Sequence, residues 1–202
     1  MRRPVNHFNL LAHRYDRLFR RPVDDPLPRL MEARQGDCIL DAGGGTGRNA
    51  LTLKEAGARM VVCDYSIGML RSALERDLSA VLADVTRLPF ASGVFDRTLV
   101  VDAFHHFVGP NPEIAQTLAT GELLRTLKYG GRLVLEEPNT RRWQARLIAA
   151  AERILLMRSR FLAPEILVSR IEGPGVRCVL REEYGFSVDL VFEKAALSGD
   201  RE

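Results

Sequence analysis

The chain has 202 residues, 46% of them apolar and 27% charged, with a formal net charge of +3 at pH 7. That length and balance suit one globular α/β domain with a full core. The charge is mild and carried by dispersed arginines, with lysine only at Lys54, Lys128 and Lys194, a distribution that argues against a dedicated nucleic-acid binder.

Cys38, Cys63 and Cys178 each sit in a strand-like apolar run with no C-x-x-C and no metal-ligand spacing. They read as small core residues in a reducing compartment. Met1-Arg2-Arg3-Pro4 leads into no apolar signal region, and no run approaches the ~18–20 apolar residues of a membrane span. The expected location is cytoplasmic, and no feature of the sequence sets an oligomeric state.

Residues 5–20 place Phe8, Leu11, Ala12, Tyr15, Leu18 and Phe19 at helical spacing, flanked by Arg14, Arg17, Arg20 and Arg21. This reads as an amphipathic helix on the domain edge. A lid over a ligand or a membrane-surface contact is the functional alternative. Pro22, Pro26 and Pro28 mark a loop before a short helix through Leu30 to Ala33.

Cys38–Leu40 is a short strand that reaches Asp41 and breaks into Gly43, Gly44, Gly45 and Gly47, after which a helical pattern begins near Arg48. Glycine lets backbone approach a ligand without a Cβ, and the helix N-terminus adds free N–H donors. The run fits two registers. Gly45-Thr46-Gly47-Arg48-Asn49-Ala50 reads as G-x-G-x-x-A, a dinucleotide fingerprint, with Asp64 about 19 residues on as the ribose acid. Asp41-x-Gly43-x-Gly45-x-Gly47 reads as D-x-G-x-G-x-G, with a carboxylate at the strand tip suited to a ligand ammonium. Both stay open at this point.

The helix from Arg48 to Ala56 ends at Gly57, and Met60–Cys63 is the second strand with Asp64 at its tip. This is the βαβ rhythm of a parallel sheet. A carboxylate at Asp64 can accept from both hydroxyls of a ribose. Further strands are expected at Val81–Val85 and at Thr98–Val101. The latter runs into Asp102-Ala103-Phe104-His105-His106-Phe107. A histidine pair past a strand tip lies at the ligand crevice of an open α/β sheet. Adjacent residues point apart, so at most one faces a substrate. Either ring as a general base competes with a purely structural role. A metal site is not expected, because no carboxylate or cysteine lies nearby at useful spacing.

Residues 112–127 form a predicted helix with Ile114, Leu118, Leu124 and Leu127 as its buried stripe. Lys128-Tyr129-Gly130-Gly131 turns into a strand over Arg132–Pro138. A helical, arginine-decorated segment follows from Asn139 to about Leu162. Its apolar face (Leu147, Ile148, Ala151, Ile154, Leu155) reads as core packing, or else as a cover for a lipophilic substrate. Pro164–Ile171 is a last short helix, and Val176–Tyr184 with Phe186–Lys194 forms an antiparallel hairpin about Gly185.

Several of these motifs resemble the type 11 class I S-adenosylmethionine (SAM)-dependent methyltransferases, the group that includes ubiquinone and menaquinone biosynthesis enzymes. They are the D-x-G-x-G-x-G loop, Asp64-x-Ser66-x-x-Met69-Leu70, Asp84-x-x-x-Leu88-Pro89-Phe90 followed by Phe95-Asp96, and Phe8…Ala12…Tyr15-Asp16. Tyr129 replaces the proline of the family's K-P-G-G turn. The resemblance implies a Rossmann-like α/β fold, with a mostly parallel seven-stranded sheet, a C-terminal antiparallel hairpin and helices on both faces. It implies one domain over residues 1–202, with an N-terminal helical lid (1–35) and a helical substrate-side segment (139–172). It implies SAM as cofactor, with Asp41, Gly43, Gly45 and Gly47 at the methionine end, Asp64 at the ribose, Asp84 and Val85 at the adenine, and Ala42, Tyr65, Met69 and Asp102 also among the cofactor-binding residues. His105 or His106 would be the base, and Tyr15, His106 and Trp143 would meet a small, lipophilic or quinone-like methyl acceptor. A SAM-binding protein without catalysis and an NAD-dependent oxidoreductase are the alternatives.

Overall fold

Ile39 and Leu40 point to opposite faces of their strand, and both are fully buried. A strand with two buried faces belongs inside a sheet covered by helices on both sides. That is the arrangement found in the computed structural model, which describes residues 25–154 and 158–196. In chain order the elements are α1 (Leu27–Met31), β1 (Cys38–Ala42), α2 (Arg48–Glu55), β2 (Arg59–Asp64), α3 (Ile67–Glu75), β3 (Ser79–Leu82), β4 (Phe95–Val101), α4 (Pro112–Thr126), β5 (Leu127–Pro138), α5 (Trp143–Ile154), α6 (Pro164–Ile171), β6 (Val176–Tyr184) and β7 (Ser187–Lys194).

The strands form one seven-stranded sheet in the order β3-β2-β1-β4-β5-β7-β6. The first five strands are mutually parallel, and β7 inserts antiparallel between β5 and β6. The expected hairpin is therefore present. From β1 the chain steps outward through β2 and β3, then crosses back to lay β4 on the other side of β1. That reversal opens a crevice at the carboxyl ends of β1 and β4, where α/β sheets take their ligands.

Two cores flank the sheet. One packs Leu40, Val100, Leu133 and Phe192 against Ala119 and Leu123 of α4 and Leu167 of α6. The other packs Ile39, Val62, Leu99 and Val134 against Leu30 of α1, Leu53 of α2 and Ala73 of α3. Helix starts are fixed locally. The Ser66 hydroxyl caps α3 by accepting from Met69 N at 3.2 Å, and Asn111 caps α4 by accepting from Glu113 N and Ile114 N at 3.0 and 3.2 Å.

Three expectations need correction. On α4 the buried face is Ala115, Ala119 and Leu123, while Ile114 and Leu118 are 57% and 52% exposed. Small residues let this helix sit close to the sheet, and the larger pair, one turn apart, borders the crevice instead. The 139–162 segment is helical only over Trp143–Ile154, and residues 158–163 run without regular secondary structure. Ala145 is fully buried on α5 but Leu147 is 59% exposed, so the expected apolar face of this helix is only partly turned inward. Lys128–Gly131 lies within β5 as a bulge, since the pairing jumps from Phe95↔Leu127 to Arg97↔Arg132. The helix expected over 5–20 lies outside the described residues. No helix among the described residues is long and apolar enough to cross a membrane.

The glycine loop is partly a packing device. Gly47 has φ +73°, and a Cβ there would stand 2.4 Å from Leu78 Cδ1. Gly93 has a similar φ of +64° with no atom within 4 Å. Gly47→Ala should therefore destabilise by about 2–4 kcal/mol, from left-handed backbone strain plus overpacking. Gly93→Ala should cost only about 1–2 kcal/mol. Urea unfolding of the two variants checks the difference, and equal losses would refute the packing role.

Candidate active site

The loop after β1 hangs on the end of β2. Gly43 N and Gly44 N both donate to Cys63 O, at 2.7 and 3.2 Å. Gly45 N donates to Asp64 Oδ2 at 3.0 Å, while Asp64 Oδ1 accepts from Ser66 N at 2.7 Å. One carboxylate thus ties the loop to the start of α3. Burial pushes the Asp64 carboxyl above its usual range, opposed by the N–H donors of Ser66, Gly45 and Tyr65.

Above this loop lies a cavity of about 840 Å³, within the range of small-molecule sites. Its lining includes Gly43, Gly44, Gly45, Arg48, Asp64, Tyr65, Met69, Asp84, Val85 and Asp102. It also includes the apolar side chains of Phe107, Val108, Ile114 and Leu118, together with His106 and Arg158. Asp84 spends Oδ1 on Thr86 N and Thr86 Oγ1, at 2.9 and 2.7 Å, leaving Oδ2 available. Asp102 adopts φ +49°, a left-handed conformation uncommon outside glycine but tolerated by aspartate, where β4 turns into the crevice.

The fold therefore gathers Gly43, Gly45, Asp64, Tyr65, Met69, Asp84, Val85, Asp102 and His106 around one space. It sets others apart. Asp41 is fully buried beneath the loop, where a Cβ on Gly44 would meet its Cγ at 2.4 Å, and Asp41 does not border the cavity. Ala42 is buried in the end of β1, and Gly47 faces Leu78. Trp143 is 66% exposed at the start of α5, away from the cavity wall. Tyr15 lies outside the described residues.

Arg48 is a residue that the motif reading passed over as an x position. It opens α2 and lines the cavity, and its Nε and Nη1 are buried with no hydrogen-bond partner among the described residues. A buried guanidinium without an acceptor costs on the order of several kcal/mol, so it asks for an anion. A basic residue directly after the glycine loop, at a helix N-terminus, was the available signal.

Of the histidine pair, His106 lines the cavity and His105 does not, and their surroundings were not foreseen. His105 is 3% exposed and has no access to the cavity, so it cannot serve as a base there. Its Nδ1 lies 2.7 Å from Glu137 Oε2. Glu137 Oε1 also accepts from Ala103 N and Phe104 N, at 3.0 and 2.8 Å. Glu152 of α5 approaches both rings, at 3.6 Å from His105 Nε2 and 3.8 Å from His106 Nε2. The dismissal of a metal site rested on the absence of nearby carboxylates. The fold brings in Glu137 and Glu152, which lie 32 and 47 residues beyond His105 in the chain. Burial alone would lower the His105 pKa, but Glu137 and Glu152 outweigh it and hold it up at about 10. Burial and then the charge of His105 bring His106 down to about 4, so it is neutral near pH 7.

A sheet of this order, with its cavity over a glycine loop and an acid at the end of β2, is the class I methyltransferase fold. Residues 40–135 match the family model described as a methyltransferase domain. A demethylmenaquinone methyltransferase of Beutenbergia cavernae is 37% identical over 137 residues, which are 67% of this chain and 53% of that protein. The chain spans about half the length of the curated relatives it matches. Among solved structures, the Haloferax volcanii complex of the Trm112 methyltransferase activator with a methyltransferase contains a chain that superposes with a TM-score of 0.78. It is 15% identical, and the match covers 96% of this chain and 100% of that one. Burkholderia thailandensis 1,6-didemethyltoxoflavin-N1-methyltransferase, solved with its acceptor and S-adenosylhomocysteine, gives 0.71 at 17% identity, covering 94% and 86%. Over residues 40–135 the chain matches the type 11 methyltransferase domain, and its fold is that of the class I SAM-dependent methyltransferases.

The charge state of His105 sets a pH test. Its folded pKa near 10 lies above the ordinary value of about 6.5, so its stabilisation is complete below ~6.5 and fades as pH rises toward 10. In metal-free buffer the stability margin of the unmodified protein over His105→Gln should shrink steadily from pH 7 to 10 in urea melts. A margin independent of pH would show that the ring is not held protonated.

Proposed function

We propose that this chain binds SAM against the glycine loop, Asp64 and Asp84 and transfers its methyl group to a small lipophilic, quinone-like acceptor held against Ile114 and Leu118. The observation that carries the reading is that one cavity is lined both by the glycine loop with charged groups and by Phe107, Val108, Ile114 and Leu118. Curated relatives at 33–37% identity named as demethylmenaquinone methyltransferases support the acceptor class.

The donors present suit SAM group by group. The Arg48 guanidinium, with Nε and Nη1 lacking a hydrogen-bond partner among the described residues, suits the carboxylate of the methionine end, which also sits well at the start of a helix. A Cβ on Gly45 would meet only Met69 Sδ, at 3.8 Å, so the loop leaves an open surface for a ligand chain. Asp64 borders the cavity as an acceptor for ribose hydroxyls, and Asp84 with the following N–H of Val85 matches the donor and acceptor edge of adenine.

SAM supplies a methyl already activated by its sulfonium. The chain's own contribution is to hold both ligands together and keep water out. Positioning of this kind supplies on the order of 7–11 kcal/mol. Ile114 and Leu118, exposed in the free protein, become buried when a flat apolar acceptor lies on them. His106, neutral near pH 7, lines the same cavity.

Titration calorimetry with SAM, S-adenosylhomocysteine and NAD is the direct test. Micromolar binding of the first two without NAD is expected. Asp64→Ala should weaken SAM binding about 10–150-fold, the loss of a bond to a charged acceptor. Arg48→Ala should do the same, whereas Trp143→Ala should leave it unchanged. A single methyl mass gain on a reduced demethylnaphthoquinone supports the acceptor class. NAD binding alone, or SAM binding indifferent to Asp64, would overturn the assignment.

A further inference from the structure

His105 and His106 present the same pattern twice. On each ring Nδ1 faces an oxygen: Glu137 Oε2 at 2.7 Å for His105, and the Arg158 carbonyl at 3.4 Å for His106. With the Nδ1–H groups donating to those oxygens, Nε2 is the nitrogen each ring turns to a ligand, on His105 once its Nε2 proton is displaced. The Nε2 atoms then converge on one carboxylate oxygen, Glu152 Oε1, at 3.6 and 3.8 Å. Ligand atoms of these three residues all lie within 4.8 Å of one another. We propose that His105, His106 and Glu152 form a binding site for a divalent cation of the zinc class, with Glu137 orienting His105.

Geometry and chemistry agree on the class of ion. Tetrahedral zinc with bonds of about 2.0–2.2 Å separates neighbouring ligand atoms by about 3.3–3.6 Å, close to the two histidine–Glu152 separations of 3.6 and 3.8 Å. Two imidazoles and one carboxylate select zinc or a similar transition metal over magnesium or calcium, which prefer oxygen ligands. Three protein ligands leave a coordination position open, as catalytic zinc sites do. A carboxylate on the far nitrogen of a ligating histidine, as Glu137 is here, is the usual outer support of such a site.

The surroundings are those of a built site. His105 is 3% exposed, and its ring stacks on Phe161 with centroids 4.3 Å apart and planes 16° apart, which fixes its orientation. Glu152 Oε2 is buried and makes no hydrogen bond of normal geometry among the described residues. Two carboxylates, Glu137 and Glu152, face two imidazoles across this cluster. A proton can bridge only one Nε2 to Glu152. A divalent cation engages both and balances both carboxylate charges, displacing that proton.

Zinc binding to the full chain, first stripped with a chelator, is the test, read by titration calorimetry and by the visible absorption of the cobalt-substituted protein. One zinc per chain and the absorption bands of tetrahedral cobalt are expected. Glu152→Gln and His106→Gln should each weaken zinc at least 100-fold. Glu137→Gln should weaken it about 10–100-fold, as outer-shell changes do. Absence of stoichiometric zinc binding would overturn the proposal. So would affinity indifferent to both Glu152→Gln and His106→Gln, which would place the ion elsewhere, for instance on a cysteine. Because the readout is zinc itself, its failure is separable from failure of the SAM assignment, which calorimetry with SAM decides alone.

Discussion

Three successive backbone donors of the loop after β1 are satisfied by the end of β2. Gly43 and Gly44 share the Cys63 carbonyl, and Gly45 reaches the Asp64 carboxylate. This is possible only because β1 and β2 are parallel neighbours in register, with Ala42 opposite Cys63. A loop so tied leaves its outer surface open over the carboxyl ends of the strands, and the cavity is that surface. The same Asp64 caps the turn into α3 through Ser66 N. One carboxylate thus serves as a structural clamp and as a wall of the ligand site, the position in which burial raises its pKa.

On the other side of β1, the corresponding constraint is Glu137. It sits on β5, is 3% exposed, and takes two backbone donors from the turn after β4 together with the His105 ring. Removing such an acceptor strands buried donors at a cost of about 1–3 kcal/mol each. The turn it organises directs His105 inward and lets His106 border the cavity. Glu152 on α5 closes the group from outside the sheet. The two flanks of the crevice therefore depend on two carboxylates on two different strands, a half-buried Asp64 and a buried Glu137, each reaching across to a neighbouring loop.

Much of the site was legible in order along the chain. Gly43, Gly45, Asp64, Met69, Asp84 and Val85 stand at strand tips or the first turns after them, and alternation of strand and helix places all strand tips at one edge. The helix stripe on α4 was misread because apolar spacing says which face is apolar, not whether that face meets core or ligand. Ile114 and Leu118 belong to the cavity. Arg48 was hidden inside a motif whose named positions are glycines, although its place at a helix N-terminus beside the loop carried the chemical hint.

By itself the sequence determined the alternation of elements, the parallel sheet with its terminal hairpin, and the identity of the ligand loop, because periodicity, glycine placement and turn chemistry are local properties of the chain. Tertiary structure alone decided which motif residues face the cavity and which lie beneath it. Asp41 and Gly47 are within the motif yet buried, since a loop has an inner and an outer side that spacing cannot distinguish. It alone decided the company of the histidines as well. Glu137 and Glu152 come from a strand and a helix far along the chain, and only packing brings their charges to the same two rings.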